Sequence, residues 1–227
     1  PAPFRPILVG GWAMAGICLI RLEQLRPRGL PAAIGTSSEN AAHRIAVTWH
    51  DEHGVPREGV YIPRRDTGAR LNALTGGCLF PAEQHHARLR VRDDGSLIDL
   101  KLETHDGAAD VWLRARPGLD LPPTSRFASL TEASDFFAAG ALGYSATRDS
   151  ARLDGLRLRT DIWRVEPLDV DWVTSSYYAD RARFPAGSVE YACTLLMRDI
   201  PHEWQPRPDL PISACTPCSP STLATST

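Results

Sequence analysis

The chain has 227 residues and a mass of 24.9 kDa, with 43% hydrophobic residues, 23% charged residues and a formal net charge of −2. That size and balance fit one large soluble domain or two small ones, and a nearly neutral chain has no global field to gather nucleic acid or an anionic membrane surface. A single lysine, Lys101, stands among 25 basic residues, so chemistry that needs a primary amine has one candidate.

The first element is the apolar run Ile7 to Ile20 (ILVGGWAMAGICLI), bounded by Arg5 and Arg21. It is shorter than the roughly 20 residues that span a bilayer, and no polar cleavage region follows. It therefore reads as a buried strand pair and not as a targeting segment, and the default compartment is the cytoplasm. A polar cluster follows, Ser37-Ser38-Glu39-Asn40, and leads into the strand His43 to Trp49. After the polar stretch His50 to Arg57, Gly59 to Pro63 returns as the second arm of a hairpin. Arg64-Arg65-Asp66 then reads either as a solvated turn or as a place where one guanidinium points into a pocket. Thr67 to Leu74 could form a short helix ending near Gly76-Gly77.

Glu83-Gln84-His85-His86 precedes an alternating strand, Ala87 to Arg92, which turns at Asp93-Asp94-Gly95 and returns as Leu97 to Leu102. Alternation recurs over Val111 to Arg116, Leu156 to Val165 and Val189 to Met197. Ser129 to Glu132 is a capping box before Ala133, Phe136 and Phe137, with Gly140 as the stop. From Pro206 onward the chain carries five prolines and loses charge. These signals predict a mainly β (α+β) domain over residues 1–205, a barrel or sandwich with two or three short helices outside it, and a loose tail over 206–227.

Few residues carry an explicit chemical signature. His85 and His86 are adjacent and would point to opposite faces of a regular strand, so they cannot chelate one ion together. No metal is expected, and one imidazole is the natural proton carrier near neutral pH. No Gly-rich phosphate cradle and no Gly-x-Ser-x-Gly elbow occurs, so no cofactor is expected. The five cysteines are an odd set: Cys18, Cys78 and Cys193 lie in apolar surroundings, and Cys215 and Cys218 lie in the tail, where a lone pair completes no zinc site.

Several motifs together carry a resemblance. They are VGGWAMAGICLIRLEQLRP, SSENAAHRIAVTW, EGVYIPRRDT, GGCLFPAEQHHA, ASLTEASDFFAAGALGYSAT and LLMRDIPHEW. On these, the chain from Leu8 to about Trp204 resembles the acetoacetate decarboxylase-like superfamily, in a branch without the catalytic lysine pair. The resemblance implies a closed, cone-like antiparallel β-barrel around a pocket. In the decarboxylases a lysine after an aromatic-Pro pair forms a Schiff base with a β-keto acid. Here Phe80-Pro81 leads into Ala82-Glu83, so the imine route does not carry over. Glu39 matches the glutamate that helps shape that site. Lys101 shares an alternating stripe with Asp99 and Glu103, which reads as solvent-facing.

Two functional readings remain open. One is an enzyme of lyase, hydratase or isomerase type acting on a carboxylate or keto compound, with Glu39, His85, His86 and Glu58 as acid/base groups. Arg64, Arg65, Asn40 and Tyr61 would then bind its substrate. The other is a non-catalytic ligand-binding or interaction protein. Both expect a small-molecule partner, and an exposed barrel edge would allow a homodimer.

Overall fold

The computed structural model describes residues 1, 3–69, 83–149 and 151–212. The strands in chain order are β1 (Arg5–Pro6), β2 (Leu8–Val9), β3 (Trp12–Ala13), β4 (Ala15–Leu25), β5 (Thr36–His50), β6 (Pro56–Thr67) and β7 (Gln84–Asp93). They continue with β8 (Ile98–Thr104), β9 (Val111–Pro117), β10 (Leu142–Ala146), β11 (Arg152–Arg159), β12 (Glu166–Ser175), β13 (Leu195–Leu196) and β14 (Glu203–Pro211). Two helices accompany them, α1 (Leu130–Ala139) and the single turn α2 (Ser176–Ala179).

Apart from the β2–β3 pair, all these strands belong to one large sheet. β5 lies between β4 and β6, and the far edge of β6 is shared by two partners. β10 runs beside Val60 to Ile62, β7 runs beside Arg65 to Thr67, and both pairings are parallel. From that fork one arm continues through β8, β9, β12 and β13, and the other through β11 and β14. Pro63 sits at the changeover. It has no N–H to give to a ladder, so it falls naturally where β6 exchanges one neighbour for another.

The sheet is therefore mixed and not purely antiparallel as expected. Among the described residues no ladder joins its ends into a closed barrel.

Alternation sets the core. On β8, Ile98, Leu100 and Leu102 are buried while Asp99, Lys101 and Glu103 face outward. Val111, Leu113 and Ala115 of β9 extend the same cluster. Helix α1 begins as its capping box predicts: Ser129 Oγ accepts from the Glu132 N–H at 3.1 Å, and Glu132 Oε2 accepts from the Ala128 N–H at 2.7 Å. Its Ala133 packs into a separate cluster with Met14, Ala46 and Phe127.

Some boundaries differ from the sequence reading. The run Ile7 to Ile20 is split between the β2–β3 pair and β4, and Met14 is its only fully buried residue. Residues 189–194 form no strand, leaving only β13 of the expected segment. The predicted helix over Thr67 to Leu74 starts inside β6, and its remainder from Arg70 lies outside the described residues. The expected boundary at residue 206 falls within β14, which pairs with β11 through Arg207 and Leu210. Pro206, Pro208 and Pro211 are tolerated there because β14 is an edge strand, with one side free of ladder demands.

Leu102 has no exposed surface and sits at the centre of the largest cluster. Leu102→Ala should lower stability by about 3 kcal/mol. Urea melts should show a lower midpoint with an unchanged slope.

Candidate functional site

The pairing of β5 with β6 puts polar residues on both faces of the sheet. His43 lies opposite Arg64, Ala41 opposite Asp66, Ala42 opposite Arg65, and Asn40 opposite Thr67. Cross-strand partners share a face, so His43, Arg64 and Asp66 lie on one side and Arg65, Asn40 and Thr67 on the other. The register slips between His43 and Ile45, where β6 spends an extra residue around Pro63. That bulge returns Tyr61 to the side occupied by Ile45. Arg64-Arg65-Asp66 is thus a half-buried to buried strand segment and not a solvated turn.

On the first face the Arg64 guanidinium is gripped by two carboxylates. Its Nε and Nη2 donate to Asp66 at 3.0 and 2.7 Å, and Nη1 and Nη2 donate to Asp106 at 2.8 and 2.9 Å. Burial opposes its charge, but the bonds to Asp106 and Asp66 outweigh that and hold its pKa above that of an ordinary arginine. Asp66, almost without exposure, has its carboxyl raised by burial against the pull of Arg64. His85 adjoins Asp66 in the parallel β6–β7 ladder and adds positive potential there.

His43 completes this face with no exposed surface. Its Nδ1 lies 3.8 Å from Asp66 Oδ2, too far for a hydrogen bond, and neither ring nitrogen has a hydrogen-bond partner among the described residues. The ring packs 4.2 Å from the Tyr177 ring, beside Tyr178, whose hydroxyl donates to the Gly16 carbonyl. Burial, aided by the charges of Arg64 and Arg183, pushes the His43 pKa down to about 4. The imidazole is neutral at physiological pH.

A second arrangement lies at the strand ends. An open groove of about 550 Å³ is lined by Ser37, Ser38, Glu39 and His86, with Arg21 and Arg88 at its sides. Arg21 Nε donates to Glu39 Oε1 at 2.6 Å, forming an exposed ion pair beside the groove. Asn40 is spent on local order: its amide donates to Ser38 Oγ at 2.9 Å and its oxygen accepts from Thr67 Oγ1 at 2.8 Å.

Of the residues singled out from sequence, Glu39 and His86 meet in one groove. His85 faces Asp66 instead, and Arg64 is committed to its two carboxylates. Arg65 lies on the opposite face of the sheet, donating to Ser145 Oγ at 2.9 Å. Tyr61 joins an aromatic cluster 5.6 Å from Phe4, and Glu58 is exposed opposite Thr48 on the far half of the hairpin. Lys101 pairs with Glu103 at 2.9 Å and lies 4.7 Å over the Trp112 ring, so its amine is on the outer face. Phe80, Pro81 and Ala82, like Cys78, Cys215 and Cys218, lie outside the described residues.

Sequence reasoning missed the partnership of His43, Asp66 and Asp106. Alternation over HRIAV and YIPRRDT would have put His43 and the charged triplet on facing strands. No local pattern could have brought in Asp106 from more than forty residues away. Among the described residues no group of three or more His, Cys, Asp or Glu is placed to hold a metal ion. No helix there is long and apolar enough to cross a membrane.

No protein-family model, curated protein or solved structure matches the chain.

The depressed pKa of His43 makes stability depend on pH. Between about pH 4 and pH 6.5 the unfolded chain binds a proton that folded His43 refuses. Its contribution is therefore complete above pH 6.5 and is lost as the pH falls toward 4, by at most about 3 kcal/mol. The raised carboxyl of Asp66 acts in the opposite sense and trims that loss. Urea midpoints should drop between about pH 7 and about pH 5, and His43→Leu should flatten the drop. An equal slope in that variant would assign the effect elsewhere.

Proposed function

We propose that this protein binds a small carboxylate or keto compound in the groove between Glu39 and His86. The observation that carries the reading is that Glu39, His86, Ser37 and Ser38 all line one open cavity at strand ends, with Arg21 and Arg88 beside them. Such a set supplies charge to attract an acid and groups to orient it. If the bound compound is turned over, the chemistry is proton transfer of lyase, hydratase or isomerase type. His86 and Glu39 would exchange the proton and Ser37 and Ser38 would hold oxygen atoms.

The resemblance to the acetoacetate decarboxylase-like superfamily supports the same place, because Glu39 matches the family's pocket glutamate. A closed cone-like barrel is part of that proposal, as is the pocket it would enclose. The imine route is not: Ala82-Glu83 stands where the family has lysines, and Lys101 is held by Glu103 and Trp112 on the outer face.

A non-catalytic ligand-binding role is the second reading. The Arg21–Glu39 pair favours it, since a carboxylate oxygen engaged at 2.6 Å by a guanidinium must leave that partner before it can meet a substrate.

Mass spectrometry of the purified protein, followed by calorimetry with a panel of keto acids, tests the site. Glu39→Ala and His86→Ala should each weaken binding at least about ten-fold while leaving the melting temperature within a few degrees. Unchanged affinity in both variants would remove the groove from consideration. Borohydride treatment with a keto acid should leave Lys101 unlabelled, and a labelled Lys101 would restore the imine route.

A further inference from the structure

The outer face of β7, β8, β9 and β12 carries two exposed tryptophans beside a row of arginines, and the register fixes that arrangement. Arg90 of β7 lies opposite Lys101, which lies opposite Trp112; Arg92 lies opposite Asp99, which lies opposite Arg114. On β12, Trp172 stands opposite Arg114 and Thr174 opposite Trp112. Cross-strand partners share a face, so the two indoles are diagonal neighbours on one surface. Trp112 is 45% exposed and Trp172 40%. Leu100 and Leu113, alternating with these residues, point into the core and hold the platform from behind.

An indole left on a sheet surface has an apolar face to offer a planar partner. Charge selects which partner. Arg88, Arg90 and Arg92 are all exposed on β7, and alternate residues of a strand stand about 7 Å apart, a spacing suited to successive phosphates. The carboxylates across from them are bonded to other cations, Glu103 to Lys101 and Asp99 to Arg114. Arg88 and Arg90 act on Glu103, and Arg92 on Asp94, through space. Over Ala87 to Asp93, β7 pairs only with β8 among the described residues, so the arginine row forms a rim.

A second copy of this face would bring arginine against arginine, and a neutral sugar would leave the row unused. The geometry points to single-stranded nucleic acid as the occupant, with bases stacked on Trp112 and Trp172 and phosphates on Arg90 and Arg92. Lys101 lies 4.7 Å over the Trp112 ring and Arg114 5.9 Å over the Trp172 ring, so a stacked base finds a cation near its phosphate. The formal net charge of −2 does not oppose this, because salt confines the attraction to charges within about 10 Å. Arg88 also lines the groove of Glu39 and His86 and is left out of the test. The inference does not rest on that groove.

Fluorescence anisotropy of the full chain at low salt, with a short labelled oligothymidylate in one arm and oligouridylate in the other, tests it. Saturable binding of at least one is expected, and the arm that responds tells DNA from RNA. A duplex should bind more weakly, since its bases are shut in. Trp112→Leu and Trp172→Leu should each weaken binding at least about five-fold and leave the melting temperature within a few degrees. Trp172→Phe, which keeps a ring, should retain most of the affinity. Arg90→Gln and Arg92→Gln should each lower the slope of log affinity against log salt by about 0.7, a slope the tryptophan variants leave unchanged. Glu39→Ala and His86→Ala should bind the oligonucleotide like the parent, which separates this face from the groove. Should Trp112→Leu fail to fold, the Trp172 pair and the arginine variants decide. Binding of heparin without binding of either oligonucleotide overturns the proposal, as does affinity indifferent to the tryptophan variants.

Discussion

The pairing of β5 with β6 is the constraint on which the other features depend. Its register sets His43 against Arg64 and Ala42 against Arg65, and the bulge at Pro63 lets β6 serve two different neighbours along one edge. A slip of one residue would move the charged triplet to the wrong faces, leaving Arg64 without Asp106 and Arg65 without Ser145. The hairpin is thus held in place by polar partners as much as by apolar ones, which makes its register costly to change.

The two faces handle buried charge differently. On one, Arg64 is neutralised by Asp66 and Asp106, and burial makes His43 give up its proton. Breaking either ion pair would strand a charge in poor solvent, which costs more than the pair itself contributes. On the other face, Arg65 is pushed down to about 10 by burial and by Arg44, with one hydroxyl as its hydrogen-bonded support.

Lysine amines are in short supply. The one amine is tied down on the outer face, where Lys101 lies in the alternating stripe with Asp99 and Glu103 as the spacing suggested. In the proposed reading, proton transfer or simple binding would draw on the groove lined by Glu39 and His86. That groove adjoins the end of β6, so the same hairpin that buries the charges also presents the candidate ligand-binding groups.

Much was legible in the chain alone. Alternation identified β7, β8 and β9 and the outward stripe of Lys101, and the capping box at Ser129 located α1, because these patterns are local and follow the period of the backbone. The single lysine was legible for the same reason: composition needs no coordinates. Position in the sheet was not legible. Prolines near residue 206 read as a loose tail, yet an edge strand accepts them. Arg64-Arg65-Asp66 read as either a solvated turn or a guanidinium pointing into a pocket, yet strands on both sides enclose it. Adjacent residues His85 and His86 diverged, one toward Asp66 and one into the groove, and Asp106 arrived from a distant turn to share Arg64. Sequence determined which strands could form and that the chain carries a single lysine. Only the tertiary structure decided which charges meet, because that depends on register and on contacts between residues far apart in the chain.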